Sequence, residues 1–156
     1  MKKLLLALSI ILLIGCKSKL ATNDATQDSF VKIIASDVDE TKKNKAYALG
    51  KRVLMTCNTS KFKKFDDTEA TVSVIQNTTE ERLTKTCIKF RQFYGEFKDL
   101  ELQEILQNTK DNSTLFRYKA QYTKKVANKE LRVTMNAENK VSSIKSLDWV
   151  DLFDPN

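Results

Sequence analysis

The feature that most constrains the fold is a change in the spacing of apolar residues at Gly95. Before Gly95 apolar residues recur every three or four positions, and after it they alternate with polar residues. The first spacing is typical of an amphipathic helix and the second of a strand with one buried face. Because the helices precede the strands instead of alternating with them, the chain is predicted to be an α+β domain with helices on one face of an antiparallel sheet.

Two helices are predicted before Gly95. The first covers residues 38–57, with Asp37 as its N-cap and Glu40 reaching back to it. It rests on apolar residues at helical spacing: Ala46, Leu49, Val53, Leu54 and Cys57. The second covers residues 79–94, opens on the Thr-x-x-Glu sequence TTEE and ends at Gly95. Its apolar residues also follow the helical period: Leu83, Cys87, Phe90 and Tyr94.

Two neighbouring segments have weaker patterns. A short apolar cluster, FVKII at residues 30–34, fits either first helical turns or a staple against the core. In residues 61–77, Asp66 can cap a short helix through Ile75, whereas the β-branched run TVSVI can be extended. We favour the helix.

Four strands are predicted after Gly95, in an antiparallel meander. Turn sequences separate them at residues 108–112, 124–128 and 138–139. In the last strand, residues 140–149, Val141 and Ile144 fall out of phase and indicate a β-bulge.

The N-terminus carries a short apolar run. Residues 4–14 are apolar apart from Ser9 and follow two lysines, but a membrane-spanning helix needs about 20 apolar residues. A basic start, a short apolar run and a small residue at its end are typical of a secretory signal peptide. The sequence Leu-Ile-Gly-Cys at residues 13–16 resembles a bacterial lipobox. The resemblance implies that Cys16 becomes the lipidated N-terminus of the mature chain.

These observations divide the chain into a signal peptide at residues 1–15, a lipidated tether at 16–28 and one α+β domain at 29–153. Two or three acyl chains, such as palmitate, would hold the protein firmly on a membrane. Lys17 stands where an aspartate retains such lipoproteins in the inner membrane, so the resemblance implies the outer membrane. Some diderm bacteria use an acidic cluster at this place as a surface-export tag, but residues 17–19 are Lys-Ser-Lys, so the resemblance favours the periplasmic side.

Charge and cysteine content fit that location. The formal net charge is +7, but the lysines are scattered and no nucleic-acid-binding motif occurs, so no nucleic acid partner is expected. With Cys16 assigned to lipid, Cys57 and Cys87 remain in a compartment where disulfides persist. They either form a disulfide, which we favour slightly, or are two small buried side chains that never meet.

Few residues suit catalysis. The chain has no histidine, which removes the commonest general base and metal ligand. Asp148, next to Trp149 at the end of the last strand, is the best candidate for a catalytic acid. We favour the alternative, that Asp148 is an exposed acid on the outward face of the sheet. No phosphate-binding loop or metal-ligand spacing occurs, and no cofactor is expected.

The order of elements, the junction sequence FRQFYGEFKDLEL and the final IKSLDW resemble the cystatin-like or nuclear-transport-factor-like α+β cone over residues 38–150. The resemblance implies a curved four-stranded sheet around a helix, often with an apolar cavity. Aromatic and methionine side chains that would line it are Phe116, Tyr118, Tyr122, Met135 and Trp149. Such a row of side chains can equally be core.

Three functions follow from this reading. The first is a non-catalytic, membrane-anchored module that binds a small apolar ligand or an envelope protein. The second is a small cone-fold enzyme, an isomerase or hydrolase, that uses a buried acid or tyrosine. The third is a structural lipoprotein that forms a homodimer through its open sheet face. We expect the first, because no nucleophile–base pair is recognisable in the sequence.

Overall fold

A computed structural model describes residues 29–155 as an antiparallel sheet with α-helices on one face. The predicted signal peptide with its lipobox-like sequence, Cys16 and the predicted tether lie outside the described residues. The helices are α1 (Glu40–Thr59), α2 (Val72–Asn77) and α3 (Glu80–Tyr94). The strands are β1 (Phe30–Ile33), β2 (Phe97–Asn108), β3 (Thr114–Tyr122), β4 (Lys129–Met135) and β5 (Val141–Asp148). The predicted α+β class is confirmed.

The sheet has five strands in the order β1-β2-β3-β4-β5, so the prediction of four strands was wrong. The additional strand is formed by the first four residues of the apolar cluster at residues 30–34, so these residues are not helical, and Ile33 packs against the core. Phe30 pairs with Asn108 and Ile33 with Ile105, both on β2. No turn sequence connects β1 to this distant partner, so the pairing depends on tertiary structure.

The two long helices begin close to their predicted positions. The N-cap of α1 is Asp39 and not Asp37, since the Asp39 carboxylate accepts a hydrogen bond of 2.9 Å from the Lys42 backbone N–H. The N-cap of α3 is Thr79, whose hydroxyl accepts from the Arg82 N–H. Gly95 ends α3 with a φ of +80°, and a Cβ there would lie 2.1 Å from the Thr123 hydroxyl. A side chain at this position is therefore excluded.

The segment between α1 and α3 is helical only in its second part. The favoured short helix exists as α2, but Asp66 does not cap it. The Asp66 carboxylate instead holds a turn, accepting from the backbone N–H groups of Thr68 and Glu69. Ala70 then pairs in parallel with Val141, which fixes the entry to α2 against β5.

The core lies between α1 and the sheet. The buried face of α1 presents Ala46, Leu49, Gly50, Val53 and Leu54. A Cβ on Gly50 would lie 3.0 Å from side-chain atoms of Leu131 and Val133, so glycine allows α1 to approach the sheet closely. Buried side chains of the sheet that face the helices include Leu100, Ile105, Phe116, Tyr118, Leu131, Val133, Met135 and Val141.

The predicted bulge in the last strand is confirmed. Thr134 is paired with Ser143 and Met135 with Val141, so one residue of β5 is left unpaired. Beyond the bulge, Ile144, Ser146 and Asp148 share the helix-facing side with their partners on β4. The bulge therefore decides which β5 side chains face the helices.

Candidate functional site

A disulfide joins the two long helices. Cys57 lies near the end of α1 and Cys87 in the middle of α3, and their Cα atoms are 4.7 Å apart. The predicted disulfide is therefore present. Because α3 packs mainly against α1, this cross-link anchors α3 to the remainder of the domain.

A cleft separates α3 from strands β4 and β5. It is open to solvent, its volume is about 340 Å³, and α1 closes one side of it. Its apolar wall consists of Val53, Leu54, Leu83, Phe90, Leu131 and Ile144. Its other lining residues are Cys57, Thr86, Lys129 and Ser146. We call this space the helix–sheet cleft, and its size is in the range of small-molecule pockets, roughly 300–1,000 Å³.

Lys129 supplies the charged group of the helix–sheet cleft. It is the first residue of β4, and its side chain is only 11% exposed. Its ammonium lies 5.6 Å from the centre of the Phe90 ring and 5.7 Å from that of Tyr94. Its ion-pair partner is Asp148, whose carboxylate is 2.7 Å away and 81% exposed. The cation is thus largely buried while its anion is in solvent.

An aromatic cluster adjoins this ammonium. The rings of Phe90, Tyr94 and Phe97 each lie within 6.2 Å of the Tyr122 ring, measured between centres. The Tyr122 hydroxyl is buried and has no hydrogen-bond partner among residues 29–155. Burial raises the pKa of Tyr122, so this hydroxyl stays protonated.

Three of the predicted ligand-binding residues are core residues. Phe116 and Met135 are completely buried and Tyr118 is 1% exposed. Phe116 and Tyr118 stack with their ring centres 6.4 Å apart. None of the three belongs to the lining of the helix–sheet cleft. Their role in binding a ligand stays a prediction.

The other two predicted residues lie apart from these. Tyr122 is half-buried in the aromatic cluster and also stands outside the lining of the cleft. Trp149 lies on the opposite sheet face, 4.8 Å from the Arg117 guanidinium. The expectation that all five side chains face one cavity was therefore wrong for Trp149. Since Asp148 faces the helices, the following residue faces the other side.

The closest arrangement to an acid–base group lies between α1 and β2. The Tyr47 hydroxyl donates to Asp99 at 2.6 Å, and the Lys51 ammonium donates to Tyr47 and lies 3.0 Å from Asp99. Hydrogen bonds from Tyr47 and Lys51 lower the pKa of Asp99, and those to Tyr47 and Asp99 raise the pKa of Lys51. Both groups stay charged at neutral pH, so neither is tuned as a general base.

The sheet face away from the helices carries a buried ion network that the sequence reading missed. We call Glu104, Arg117, Glu130 and Arg132 the charged face. Arg117 donates through Nε and Nη2 to the two oxygens of Glu130, at 2.8 and 2.9 Å, and through Nη1 to Glu104. Arg132 donates to Glu130 at 2.6 Å. The two guanidiniums lower the pKa of Glu130 against the opposing effect of its burial.

Residues 149–154, which we call the C-terminal segment, cover the charged face. The centre of the Phe153 ring lies 5.4 Å from the Arg117 guanidinium and 5.0 Å from that of Arg132. The centre of the Trp149 ring lies 4.8 Å from the Arg117 guanidinium. Backbone carbonyls of the same segment accept hydrogen bonds from Arg117 and Arg132. The guanidiniums of Arg117 and Arg132 therefore bind side chains and backbone carbonyls of the protein itself. The signal in the sequence was the alternation of Arg117, Glu130 and Arg132 with buried apolar residues.

Comparison with known proteins gives no relative for this chain: no protein family, curated protein or solved structure matches it. Within residues 29–155, no group of three or more acidic, cysteine or histidine residues is placed to hold a metal ion. No helix in the same range is long and apolar enough to cross a bilayer.

Proposed function

We propose that this chain is an exported, lipid-anchored and non-catalytic module, which binds a ligand or partner at the periplasmic side of a bacterial outer membrane. The observation that carries the proposal is the Cys57–Cys87 disulfide. Disulfides persist in exported proteins and are rare in the cytosol. The bond thus agrees with the compartment to which the N-terminal sequence, ending in Cys16, would direct the chain.

The lipid anchor is tested by expression of the full chain in a diderm bacterium. The mass of the N-terminal peptide should equal that of a chain starting at Cys16 plus a diacylglyceryl group and an amide-linked acyl chain. The protein should sediment with outer membranes. Cys16→Ser should abolish the modification and release the protein from the membrane fraction, because no acyl chain is then attached.

The double variant Cys57→Ser/Cys87→Ser is the matched control, because it removes two cysteines but keeps Cys16. It should be lipidated as the wild type is. An unmodified N-terminal peptide in the wild-type protein would contradict the lipid anchor. Protease treatment of intact cells separates the periplasmic side, where the domain stays protected, from the cell surface.

Binding is proposed rather than catalysis because of the groups in the helix–sheet cleft. The cleft combines apolar walls with one cation and two hydroxyl groups, Lys129, Thr86 and Ser146. Asp148, the acid considered for catalysis, is exposed and paired with Lys129. A walled apolar site with few polar groups is typical of ligand recognition.

For the fold family, we propose the cystatin-like or nuclear-transport-factor-like cone. Its support is the order of elements and the register shifts in β2 and β5, since bulges increase the twist and bend of a sheet. A crystal structure with a flat sheet would contradict this assignment. The homodimer stays a prediction, and gel filtration of the purified chain tests it.

A further inference from the structure

We propose that the helix–sheet cleft binds a medium-chain fatty acid, with the alkyl chain along the apolar wall and the carboxylate on the Lys129 ammonium. This inference rests on the proposed function and names the ligand class of that binding module. It is carried by the walls of the cleft, by the position of its single cation and by the exposure of the anion paired with that cation.

The walls suit an alkyl chain. Leu83 and Phe90 from α3 face Leu131 and Ile144 from the sheet, and Val53 and Leu54 of α1 close the side. Each methylene transferred from water into such surroundings stabilises the complex by about 0.8 kcal/mol. The α3 wall has a fixed position, because the disulfide through Cys87 ties it to α1.

The head group is determined by Lys129. An ammonium has three N–H donors, and the Asp148 carboxylate accepts one of them at 2.7 Å. The rings of Phe90 and Tyr94 lie near the same nitrogen and accept no ordinary hydrogen bond. The ammonium therefore has donors available for a second oxygen acceptor. Since its side chain is largely buried, an anion beside it is attracted more strongly than one in water.

Asp148 acts as the ion that a ligand would displace. Its side chain is 81% exposed, so rotation into solvent leaves the carboxylate hydrated. A ligand carboxylate could then take the position of Asp148 on Lys129. The direction of the expected effect is specific: removing the charge of Asp148 should favour an anionic ligand, and removing that of Lys129 should disfavour it.

The test uses three probes with a ten-carbon chain: decanoate and decyltrimethylammonium below their critical micelle concentrations, and decanol below its solubility limit in water. The protein is the whole mature chain, residues 16–156 with Cys16→Ser, exported behind a conventional signal peptide so that the disulfide forms. Calorimetry should give a dissociation constant for decanoate about tenfold below that for decanol, as expected for a charge-assisted hydrogen bond. The cationic probe should bind most weakly. Equal affinities for decanoate and decanol would overturn the assignment of the head group.

Variants locate the site. Lys129→Met should remove the preference for decanoate over decanol, and Asp148→Asn should tighten decanoate binding several-fold while leaving decanol unchanged. Because Asp148 is exposed, its variant is expected to fold even if the Lys129 variant does not. Unchanged or weaker decanoate binding by Asp148→Asn would overturn the role of Lys129.

In the last part of the experiment, a large side chain is introduced to fill the helix–sheet cleft. Ser146→Trp places a large side chain in the helix–sheet cleft and should abolish binding of decanoate and decanol alike. The matched control is Thr84→Trp, on the exposed side of α3 outside this cleft, which should bind as the wild type does. Full binding by Ser146→Trp would place the site elsewhere and overturn the inference. Lipidation of Cys16 is measured separately, so failure here leaves the anchoring result intact.

Discussion

The two faces of the sheet are buried in different ways. On the helix side, apolar residues such as Phe116 and Val133 pack beneath α1, and the Cys57–Cys87 disulfide holds α3 above them. On the other side, Arg117 and Glu130 are just as inaccessible, with side chains 1% and 0% exposed, but they are charged. That side is covered by a short C-terminal segment instead of helices.

The two sides of the sheet should therefore differ in how well they tolerate substitutions. Apolar packing is non-directional, so a smaller apolar side chain loses contact area but leaves no charge unpaired. A buried ion network stabilises only if each charge has its partner, because desolvation of an unpaired ion exceeds what its remaining contacts supply. We therefore expect the charged face to be the more sensitive of the two, although it is the smaller.

The largest expected effect is that of Glu130→Gln. Glu130 accepts three hydrogen bonds from Arg117 and Arg132, and its loss leaves two buried guanidiniums facing a neutral group. The free energy of unfolding should fall by about 3–5 kcal/mol in urea titrations at neutral pH. Glu101→Gln, at an exposed position on β2, is the control and should change it by less than about 0.5 kcal/mol. Equal effects of the two variants would refute the contrast between the faces.

Removal of the disulfide tests the helix side. The bond closes a loop between residues 30 positions apart, so Cys57→Ala/Cys87→Ala should lower the free energy of unfolding by about 3.5 kcal/mol. Both thiols are replaced so that no free cysteine is left. Wild-type protein treated with a reductant should show a similar loss. If the oxidised and reduced proteins unfold at the same urea concentration, α3 is held by its packing alone.

A smaller effect is expected for Phe153→Ala on the charged face. The Phe153 ring contacts the guanidiniums of Arg117 and Arg132 and meets the Phe30 ring edge-on, with 5.2 Å between the ring centres. Loss of these contacts should cost about 1–2 kcal/mol, measured by thermal unfolding. Leu152→Ala is the control, since Leu152 is 85% exposed and should be nearly neutral. A neutral Phe153 variant would mean that the C-terminal segment contributes nothing to covering this face.

A related expected effect is a difference in acid sensitivity. Burial raises the pKa of Glu130, but hydrogen bonds from Arg117 and Arg132 outweigh it, so the folded-state pKa lies below the ordinary glutamate value. The stability from this group is therefore present above the unfolded-state pKa, about 4.3, and is lost as the pH falls through the lower folded-state value. Unfolding followed from neutral to acidic pH should show this loss in the wild type. The loss should be shallower in Glu130→Gln, and parallel curves would contradict the assignment.

Local features of the sequence predicted much of the fold. The spacing around Leu49 and Val53 gave α1, and the out-of-phase residues Val141 and Ile144 gave the bulge. Such patterns are contained within one element, so they can be recognised without its neighbours. The sequence favoured a Cys57–Cys87 disulfide only slightly over two separate buried cysteines. The number of residues between the two cysteines does not fix the distance between the helices that carry them.

The candidate site was less accessible to the sequence reading. Alternation correctly placed Phe116 and Met135 on the helix side, but it does not distinguish a filled core from a cavity wall. The helix–sheet cleft instead takes its walls from both long helices and both last strands, including Leu83 and Ile144. Its position depends on how far α3 stands from the sheet.

By itself, the sequence determined the helices-before-strands order and the position of the last-strand bulge. Those properties follow from residue types within a few positions of one another. Only the tertiary structure decided that β1 joins the sheet, that Arg117 and Glu130 are buried under the C-terminal segment, and that Lys129 lies in a cleft. Each of these depends on contacts between residues far apart in the chain, and burial is a property of the packed elements together.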